Sequence, residues 1–320
     1  ATMASCWITV GYSAHRVETL DAFERAAGGH RVVVLEEPPT SGFGAMLEGS
    51  MSVAEHLDEV FPEFPVYSER QCEVLRRLHD GGVEVVQIEP FLSELEAIHD
   101  GFERGSRPED LEAGTTRWRV YQAERRWTGA LLGYYAASGG PDFDRVVDAV
   151  CRFARIDAER GRLRDVMRAR RVVELLPDTG GAYVEAGYLH TRLIRELRCR
   201  APYGVPVRPR WLMASVVRGL DGCSMHLAPG DRLTVSYAHG HTGCDTADRL
   251  LAARSLIQIA LTVKDELVPT VDAPHPHIAD EIATIGLVDR LGYDDCRRLY
   301  PRVKRAVPAE ARELVEAHLG

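Results

Sequence analysis

The pattern of apolar and polar positions in residues 7–37 predicts a strand, a helix and a second strand. Residues 7–10 and 32–35 form short apolar runs rich in β-forming side chains. Between them, before Gly28 and Gly29 end the pattern, apolar side chains recur at helical spacing at Val17, Leu20, Phe23 and Ala27. Residues 181–198 repeat the order of strand, glycine-containing turn and helix. The sequence therefore predicts two similar strand–turn–helix units.

The remaining pattern predicts two more strands around a long helical excursion. Residues 83–91 are typical of a third strand and residues 182–186 of a fourth. Predicted helices lie at 52–61, 67–79, 92–104, 117–135 and 143–176, and again from 246 onward. The Gly- and Ser-rich residues 40–52 predict a loop at the edge of the sheet.

The segment after the fourth strand is less regular. Residues 202–209 are rich in proline and indicate a connection. Two apolar runs, at 211–217 and 232–238, predict edge strands, with antiparallel pairing as one option.

Together these elements predict an α/β fold with a mainly parallel central sheet and helices on both faces. We expect residues 1–245 to form the core domain, with an inserted helical cap at about residues 105–176. Residues 246–320 are expected to form a helical C-terminal extension packed on that core.

Composition narrows the classes of function. The chain has 320 residues, of which 45% are hydrophobic and 27% charged, as in a globular protein. No apolar run is long enough for a membrane span, and the formal net charge of −9 argues against nucleic acid as the partner. The Arg-rich residues 160–171 predict a solvated helix face. We expect a small-molecule substrate, and the oligomeric state stays open, with a homodimer as one option.

The seven cysteines are scattered and odd in number, and they contain no CxxC pair. This usage predicts free thiols in a reducing compartment, and hence a cytoplasmic protein.

Candidate chemistry lies at the predicted carboxyl ends of the strands. His15 follows the first strand, Glu36 the second, Glu89 the third and His190 the fourth. Open parallel sheets bind ligands at this edge. Two histidines with carboxylates there activate water in one of two ways. A neutral imidazole acts as general base, or two histidines and a glutamate hold zinc or manganese. The sequence leaves both open.

Four short motifs in order carry a resemblance to a known group. They are GYSAH at 11–15, VLE at 34–36 before prolines, RDVM at 164–167 and AGYLH at 186–190. Over roughly residues 6–200 the chain resembles the erythromycin esterase/ChaN-like superfamily, which includes the TraB and Tiki proteins. Two departures stand out: Tyr12 replaces the glutamate of the first motif, and RDVM is one residue shorter than the usual spacing.

The resemblance implies a hydrolase-like enzyme acting on an ester, lactone or amide of a small metabolite. His15 would be general base or metal ligand, Glu36 would orient it or ligate, and His190 would complete the site. Tyr12 would donate a hydrogen bond to substrate, and Glu89 or Glu185 would supply the missing carboxylate. Because of Tyr12, a biosynthetic variant catalysing cyclisation, elimination or acyl transfer is a further option.

Two alternatives remain. The ChaN branch implies a non-catalytic heme or metal binding protein, with Tyr12 or a histidine as axial ligand. A competing alignment places His239 or His241, which precede Cys244 and Asp245, in the role of His190. We prefer His190 because it follows RDVM at the usual distance, and Asp245 is equally well explained as a helix N-cap. No GxSxG motif is present, which disfavours a serine hydrolase.

Overall fold

A five-stranded sheet, in which every strand pairs in parallel, organises the described part of the chain. The structure is a computed structural model that describes residues 6–223 and 225–320. The strands are Trp7–Ser13 (β1), Val32–Leu35 (β2), Glu84–Gln87 (β3), Gly181–Gly187 (β4) and Val207–Trp211 (β5). Their order across the sheet is β3-β2-β4-β1-β5.

The α-helices connect and flank these strands. They are Leu20–Ala27 (α1), Phe43–Leu47 (α2), Val53–Val60 (α3), Pro65–Asp80 (α4), Pro90–Glu103 (α5), Thr116–Ser138 (α6), Phe143–Glu174 (α7), Leu193–Arg200 (α8), Ala214–Asp221 (α9), Pro229–Ala238 (α10), Thr246–Leu261 (α11), Pro276–Val288 (α12), Tyr293–Val303 (α13) and Pro308–Leu319 (α14). Short 3-10 helices occupy Val17–Thr19 and Pro108–Asp110.

The position of β4 decides which motifs meet. This strand lies between β1 and β2, with Val184 opposite Val10 on one side and Val34 on the other. The helical excursion from α5 to α7 therefore ends in a strand inserted between two strands that are neighbours in sequence. As a result, the carboxyl ends of β1, β4 and β2 stand side by side.

Helices cover both faces of the sheet, and the strands are accordingly apolar along their length. On one face, Val33, Leu35 and Tyr183 pack with the buried side chains of α1, α2 and α4. On the other face, Val34 and Val184 pack with buried residues of α7 and α8. The predicted fold class is confirmed.

The chain divides into two compact units made of interleaved segments. The first unit consists of residues 1–117, 163–225 and 266–277, and holds the sheet. The second consists of residues 118–162, 226–265 and 278–320.

This division differs from the predicted one at residue 245. Within the second unit, helices of the excursion and of the tail share one apolar core, which contains Val146, Cys151, Leu256, Leu299 and Val315. Burial of apolar side chains packs these helices together although they are far apart in sequence. The periodicity of apolar residues along the chain does not show which helices pack together.

The two predicted edge strands are wrong. Residues 211–217 end β5 and enter α9, and residues 232–238 lie within α10. Apolar positions 213, 216, 217 and 220 in fact follow helical spacing. In front of the second run, Pro229 occupies the first turn of α10, a favoured position for proline at a helix start.

The fifth strand is the proline-rich segment that the sequence indicated as a connection. Pro209 lies inside β5, which pairs only with β1 and so forms an edge of the sheet. An edge strand tolerates a residue without a backbone N–H. The predicted loop at 40–52 likewise contains a short helix, α2.

Across the residues that the structure describes, no helix combines the length and apolarity needed to cross a membrane.

At Gly11 the sheet has no room for a side chain. A Cβ atom there would overlap the phenol ring of Tyr183 on the neighbouring strand. We expect Gly11→Ala to lower the free energy of unfolding by about 1–3 kcal/mol through overpacking. Gly161→Ala, inside α7 with nothing within 4 Å of an added Cβ, is the control and should stabilise by up to about 1 kcal/mol. Urea unfolding of both variants measures this, and equal stability of the two would contradict it.

Candidate functional site at the carboxyl edge of the sheet

Three predicted site residues surround Gly187 at the end of β4. A Cβ atom placed on Gly187 would lie 3.7 Å from both Glu36 Oε2 and His15 Cε1, and 3.9 Å from His190 Cδ2. His15 arrives from β1, Glu36 from β2 and His190 from the turn after β4. Three chain segments therefore meet around Gly187, at distances that are ordinary van der Waals contacts for an added Cβ.

His190 is held between two carboxylates. Its Nδ1 lies 2.5 Å from Asp165 Oδ1, and its Nε2 lies 2.7 Å from Glu36 Oε1. Burial acts to lower the pKa of His190, but the charges of Glu36 and Asp165 outweigh it and raise the pKa from 6.5 to about 10. His190 is therefore an imidazolium at neutral pH, and both of its ring nitrogens donate.

Glu36 accepts from several cationic and backbone donors. Its Oε2 accepts from the backbone N–H of Gly187 at 2.6 Å. Guanidinium nitrogens of Arg164 and Arg168 each lie 3.5 Å from its oxygens. Burial alone would raise the pKa of Glu36, but His190 and then Arg168 hold it well below 4.5. Glu36 is a fixed anion rather than a base.

The Arg-rich face of α7 is buried where it meets this cluster. Arg168 is fully buried and donates from Nε to the Ile88 carbonyl at 3.1 Å, and Asp165 is 2% exposed. The prediction of a solvated face is therefore wrong for Arg164, Asp165 and Arg168. Their spacing of one and four residues places them on one side of the helix, where each finds a partner of opposite charge.

Glu89 belongs to the same cluster of charged side chains through its contact with Arg164. It precedes the first turn of α5 and is 1% exposed. Its Oε1 accepts from Arg164 Nε at 3.2 Å, while its Oε2 is buried with no hydrogen-bond partner. Arg164 thus bridges Glu36 and Glu89.

His15 occupies a different environment from His190. Its backbone has φ of 51°, in the left-handed region that non-glycine residues rarely adopt. The side chain is 31% exposed, and its Nε2 is buried without a hydrogen-bond partner, 3.6 Å from Glu185 Oε1. Strained backbone of this kind concentrates at functional sites.

Glu185, rather than Glu36, is the carboxylate beside His15. Its Oε1 also accepts from Gln71 at 3.2 Å, and its Oε2 accepts from the backbone N–H of Glu36 at 3.1 Å. Alternation along β4 turns Glu185 to the sheet face opposite that of Ala186. The structure therefore places a carboxylate of the fourth strand beside His15.

Tyr12 does not face the open edge. It is 1% exposed, stacks on Trp211 with ring centroids 4.4 Å apart, and donates its hydroxyl hydrogen to the His190 carbonyl at 3.3 Å. Burial, the largest cause, raises the pKa of Tyr12. Alternation places Tyr12 on the same strand face as Ile8 and Val10, in the core. The expected roles in donating to substrate or ligating heme iron do not fit this placement.

The predicted ligand set of His15, Glu36 and His190 does not fit a divalent metal ion in this arrangement. Two ligands about 2.0–2.1 Å from tetrahedral zinc are about 3.4 Å apart. His190 Nε2 and Glu36 Oε1 lie 2.7 Å apart, a spacing that suits a shared proton, and two guanidinium groups flank Glu36. Among the described residues at this edge of the sheet, His15 Nε2 and Glu185 Oε1, at 3.6 Å, come nearest to the spacing of a ligand pair.

A second group with ligand-like spacing lies in the second unit. Donor atoms of His241, Asp245 and Asp248 lie within 4.8 Å of one another. Asp245 caps α11 by accepting from the N–H groups of Ala247 and Asp248, as its alternative explanation predicted. Asp248 also accepts from Tyr237 and pairs with His241 at 3.0 Å. These structural contacts account for the cluster, and His190 rather than His241 contacts Glu36.

The sequence motifs do not indicate two of the residues that contribute to the site. Gln71 and Arg168 carry no motif of their own, although each is a polar residue at a position where the helical pattern expects an apolar one. Gln71 lies between the buried Tyr67 and Cys72 on α4, and Arg168 lies between the buried Met167 and Ala169 on α7. A long polar side chain in such a position was the available signal.

His190 is expected to stay protonated on both ring nitrogens at pH 7.5, because its pKa is raised to about 10. Histidine-labelled ¹⁵N spectra should show an imidazolium that is absent from His190→Gln. Because the folded-state pKa exceeds 6.5, this cation stabilises the fold fully below pH 6.5, and the contribution is lost as pH rises through about 10. A neutral imidazole signal at pH 7.5 would contradict the assignment.

Comparison with known proteins supplies one relative of similar length. An uncharacterized protein from Archaeoglobus fulgidus is 32% identical over 293 residues, which cover 92% of this chain and 97% of that protein. No protein-family model and no solved structure matches the chain. Because the similarity spans both compact units, the chain belongs to the same family as this archaeal protein.

Proposed function

We propose that the protein is a hydrolase-like enzyme that uses His15 as general base to activate water against an ester, lactone or amide of a small metabolite. One observation carries the proposal. A partly exposed imidazole stands at the carboxyl edge of a parallel sheet, with the buried carboxylate of Glu185 3.6 Å from its Nε2. A histidine oriented by a buried carboxylate is a recurrent general base.

Because Nε2 of His15 is buried beside Glu185, we assign the proton of the neutral imidazole to Nε2. The lone pair of Nδ1 is then free to accept a proton from water. As water adds to the carbonyl carbon, its proton moves to His15. When the tetrahedral intermediate collapses, the C–O or C–N bond breaks and the imidazolium returns that proton to the leaving alkoxide or amine. Water is consumed and the acid and the alcohol or amine are released.

The buried cluster positions this pair. The backbone N–H of Glu36 holds Glu185 Oε2, and the Glu36 side chain is in turn fixed by His190 and Gly187. Glu185 therefore cannot rotate away from His15 without disturbing the cluster. Tyr12 supports the same arrangement through the His190 carbonyl. In this proposal Glu36, His190 and Tyr12 are positioning residues.

Two further points support the proposal. The four motifs that resemble the erythromycin esterase/ChaN-like superfamily supply His15, Glu36, Asp165 and His190. The absence of a carboxylate at position 12 is offset by Glu185, so the altered first motif does not by itself require a biosynthetic variant. Because the cysteines of the described residues are free thiols, we place the enzyme in the cytoplasm.

His15→Gln is expected to lower kcat/KM by at least about 100-fold, because general-base catalysis contributes typically 10²–10⁴-fold. The assay uses p-nitrophenyl acetate, with a panel of lactones and anilides to find the favoured acyl compound. His99→Gln, an exposed histidine on α5, is the matched control and should keep wild-type rates. Turnover that survives in His15→Gln at the wild-type rate would remove His15 as the base.

The Glu185→Gln variant distinguishes a role of Glu185 in orienting His15 from a role in binding the substrate. The amide keeps the shape of the side chain but loses the charge beside His15, and one of its two acceptor oxygens becomes an NH₂ donor. We expect kcat to fall about tenfold or more while KM stays within about twofold, since a group acting through the base affects the transition state alone. A rise in KM with unchanged kcat would instead assign Glu185 to substrate binding.

Metal content tests the remaining alternative for the same residues. Mass spectrometry on protein purified without a metal-affinity tag is expected to find no stoichiometric zinc or manganese that depends on His15 and His190. Treatment with EDTA should leave turnover unchanged. A stoichiometric metal that disappears in His15→Ala/His190→Ala would restore the metal-ligand hypothesis and overturn the imidazole-base mechanism.

A further inference from the structure

A cavity of about 720 Å³ lies in the first unit beside the edge strand β3. Residues three or four positions apart line it on two helices, within 90–97 on α5 and within 167–175 at the end of α7, and the end of β3 completes the wall. Its volume is large enough for a metabolite-sized ligand. His15 does not line the cavity, which is therefore distinct from the proposed catalytic site.

Part of the cavity wall is apolar surface that the protein itself leaves uncovered. Val86, Ile88 and Met167 contribute to this wall, and Leu175, which also lines it, is 36% exposed. Removing apolar surface from water is favourable roughly in proportion to the area that is covered. This part of the wall therefore suits the hydrocarbon body of a ligand.

The charged side chains of the wall leave one cation over. Two arginines have carboxylate partners on the wall, Arg117 with Glu94 at 2.9 Å and Arg171 with Glu174 at 2.8 Å. The enclosed carboxylate of Glu89 pairs with Arg164 at 3.2 Å, so it adds no charge that a ligand has to balance. Arg170 lines the cavity, is exposed, and makes no ion pair with any of the described residues.

Arg170 thus offers the cavity a cation without a carboxylate partner in the described part of the chain. A guanidinium group presents paired N–H donors that match the two oxygens of a carboxylate. An exposed ion pair alone contributes little free energy, so the apolar wall would supply most of the affinity and Arg170 would select the charged end. The two features together fit an acid with an apolar body better than a small inorganic anion.

We propose that this cavity binds a small monocarboxylic acid whose apolar body covers the hydrophobic wall and whose carboxylate pairs with Arg170. Such binding does not require turnover at His15, because His15 does not line the cavity.

A matched pair of compounds tests the recognition of the carboxylate. Octanoate carries the charge, and octanamide has the same flexible chain and a head group of the same shape without it. By isothermal titration calorimetry, wild-type protein should bind octanoate at least about threefold more tightly, as expected for a partly exposed ion pair. Equal affinities, or no binding of either compound, would overturn the proposal.

The Arg170→Gln variant tests the residue. We expect its affinity for octanoate to fall to that for octanamide, while octanamide binds as it does to wild-type protein. Arg152→Gln removes the same charge from an exposed position of α7 that does not line the cavity, and it should keep the preference for octanoate. An equal loss in both variants would indicate an effect of net charge and would contradict the role of Arg170.

A second pair of variants tests the location. Ala97 lines the cavity from α5, so Ala97→Phe should fill part of it and weaken both compounds about tenfold or more, because less of the apolar wall is left to cover. His99→Phe, at an exposed position of the same helix outside the cavity, should bind both compounds as wild-type protein does. Binding that Ala97→Phe does not change would place the acid elsewhere.

His15→Gln separates this cavity from the proposed catalytic site, where an acid would bind as a reaction product. Octanoate should bind this variant as tightly as wild-type protein, and weakened binding would move the acid to His15 and contradict the proposal. Octanoate binding that depends on Arg170 would support the cavity even if wild-type protein hydrolysed no acyl compound.

Discussion

The site depends on a buried cation, His190, that is held between the carboxylates of Asp165 and Glu36. Removing three charges from water is costly, and such a group is stable only when its geometry is good and its remaining lone pairs are satisfied. Here Gly187 and two arginines complete the coordination of Glu36. The cluster fastens the ends of β2 and β4 to α7, and this attachment fixes the rim of the sheet in one arrangement.

Two histidines with similar sequence contexts therefore have opposite properties. His190 is enclosed, protonated and saturated with acceptors, whereas His15 is partly exposed and has one weakly paired nitrogen. The backbone N–H of Glu36 connects the two, because it holds the carboxylate that faces His15. In the proposed mechanism, this ion cluster beside the partly exposed His15 is a preorganised environment for proton transfer.

The sequence indicated which residues lie at this edge of the sheet better than it indicated which of them contact one another. His15, Glu36 and His190 were identifiable because parallel strands place their carboxyl ends at one edge. The pairing of Glu185 with His15 depends on β4 lying between β1 and β2, which the order of elements along the chain does not encode. Comparison of the first motif by sequence position suggests that Tyr12 faces the site. Alternation along β1 instead turns its side chain into the core. The burial of Arg168 depends on partners from two distant segments, Glu36 and Ile88.

One face of α7 contributes both to the ion cluster and to a cavity of about 720 Å³ that lies beside β3. Arg164, Asp165 and Arg168 hold the cluster, while Met167 and Arg171, in the same two turns, line the cavity. Met167 is buried, so a larger residue there would have to be accommodated by the helix that carries the three charged side chains. The α5 wall, with Ser93 and Ala97, carries no member of the cluster beyond Glu89 at its start. Substitutions in the α5 wall therefore leave the α7 residues around His190 unchanged, whereas substitutions in the α7 wall fall beside them.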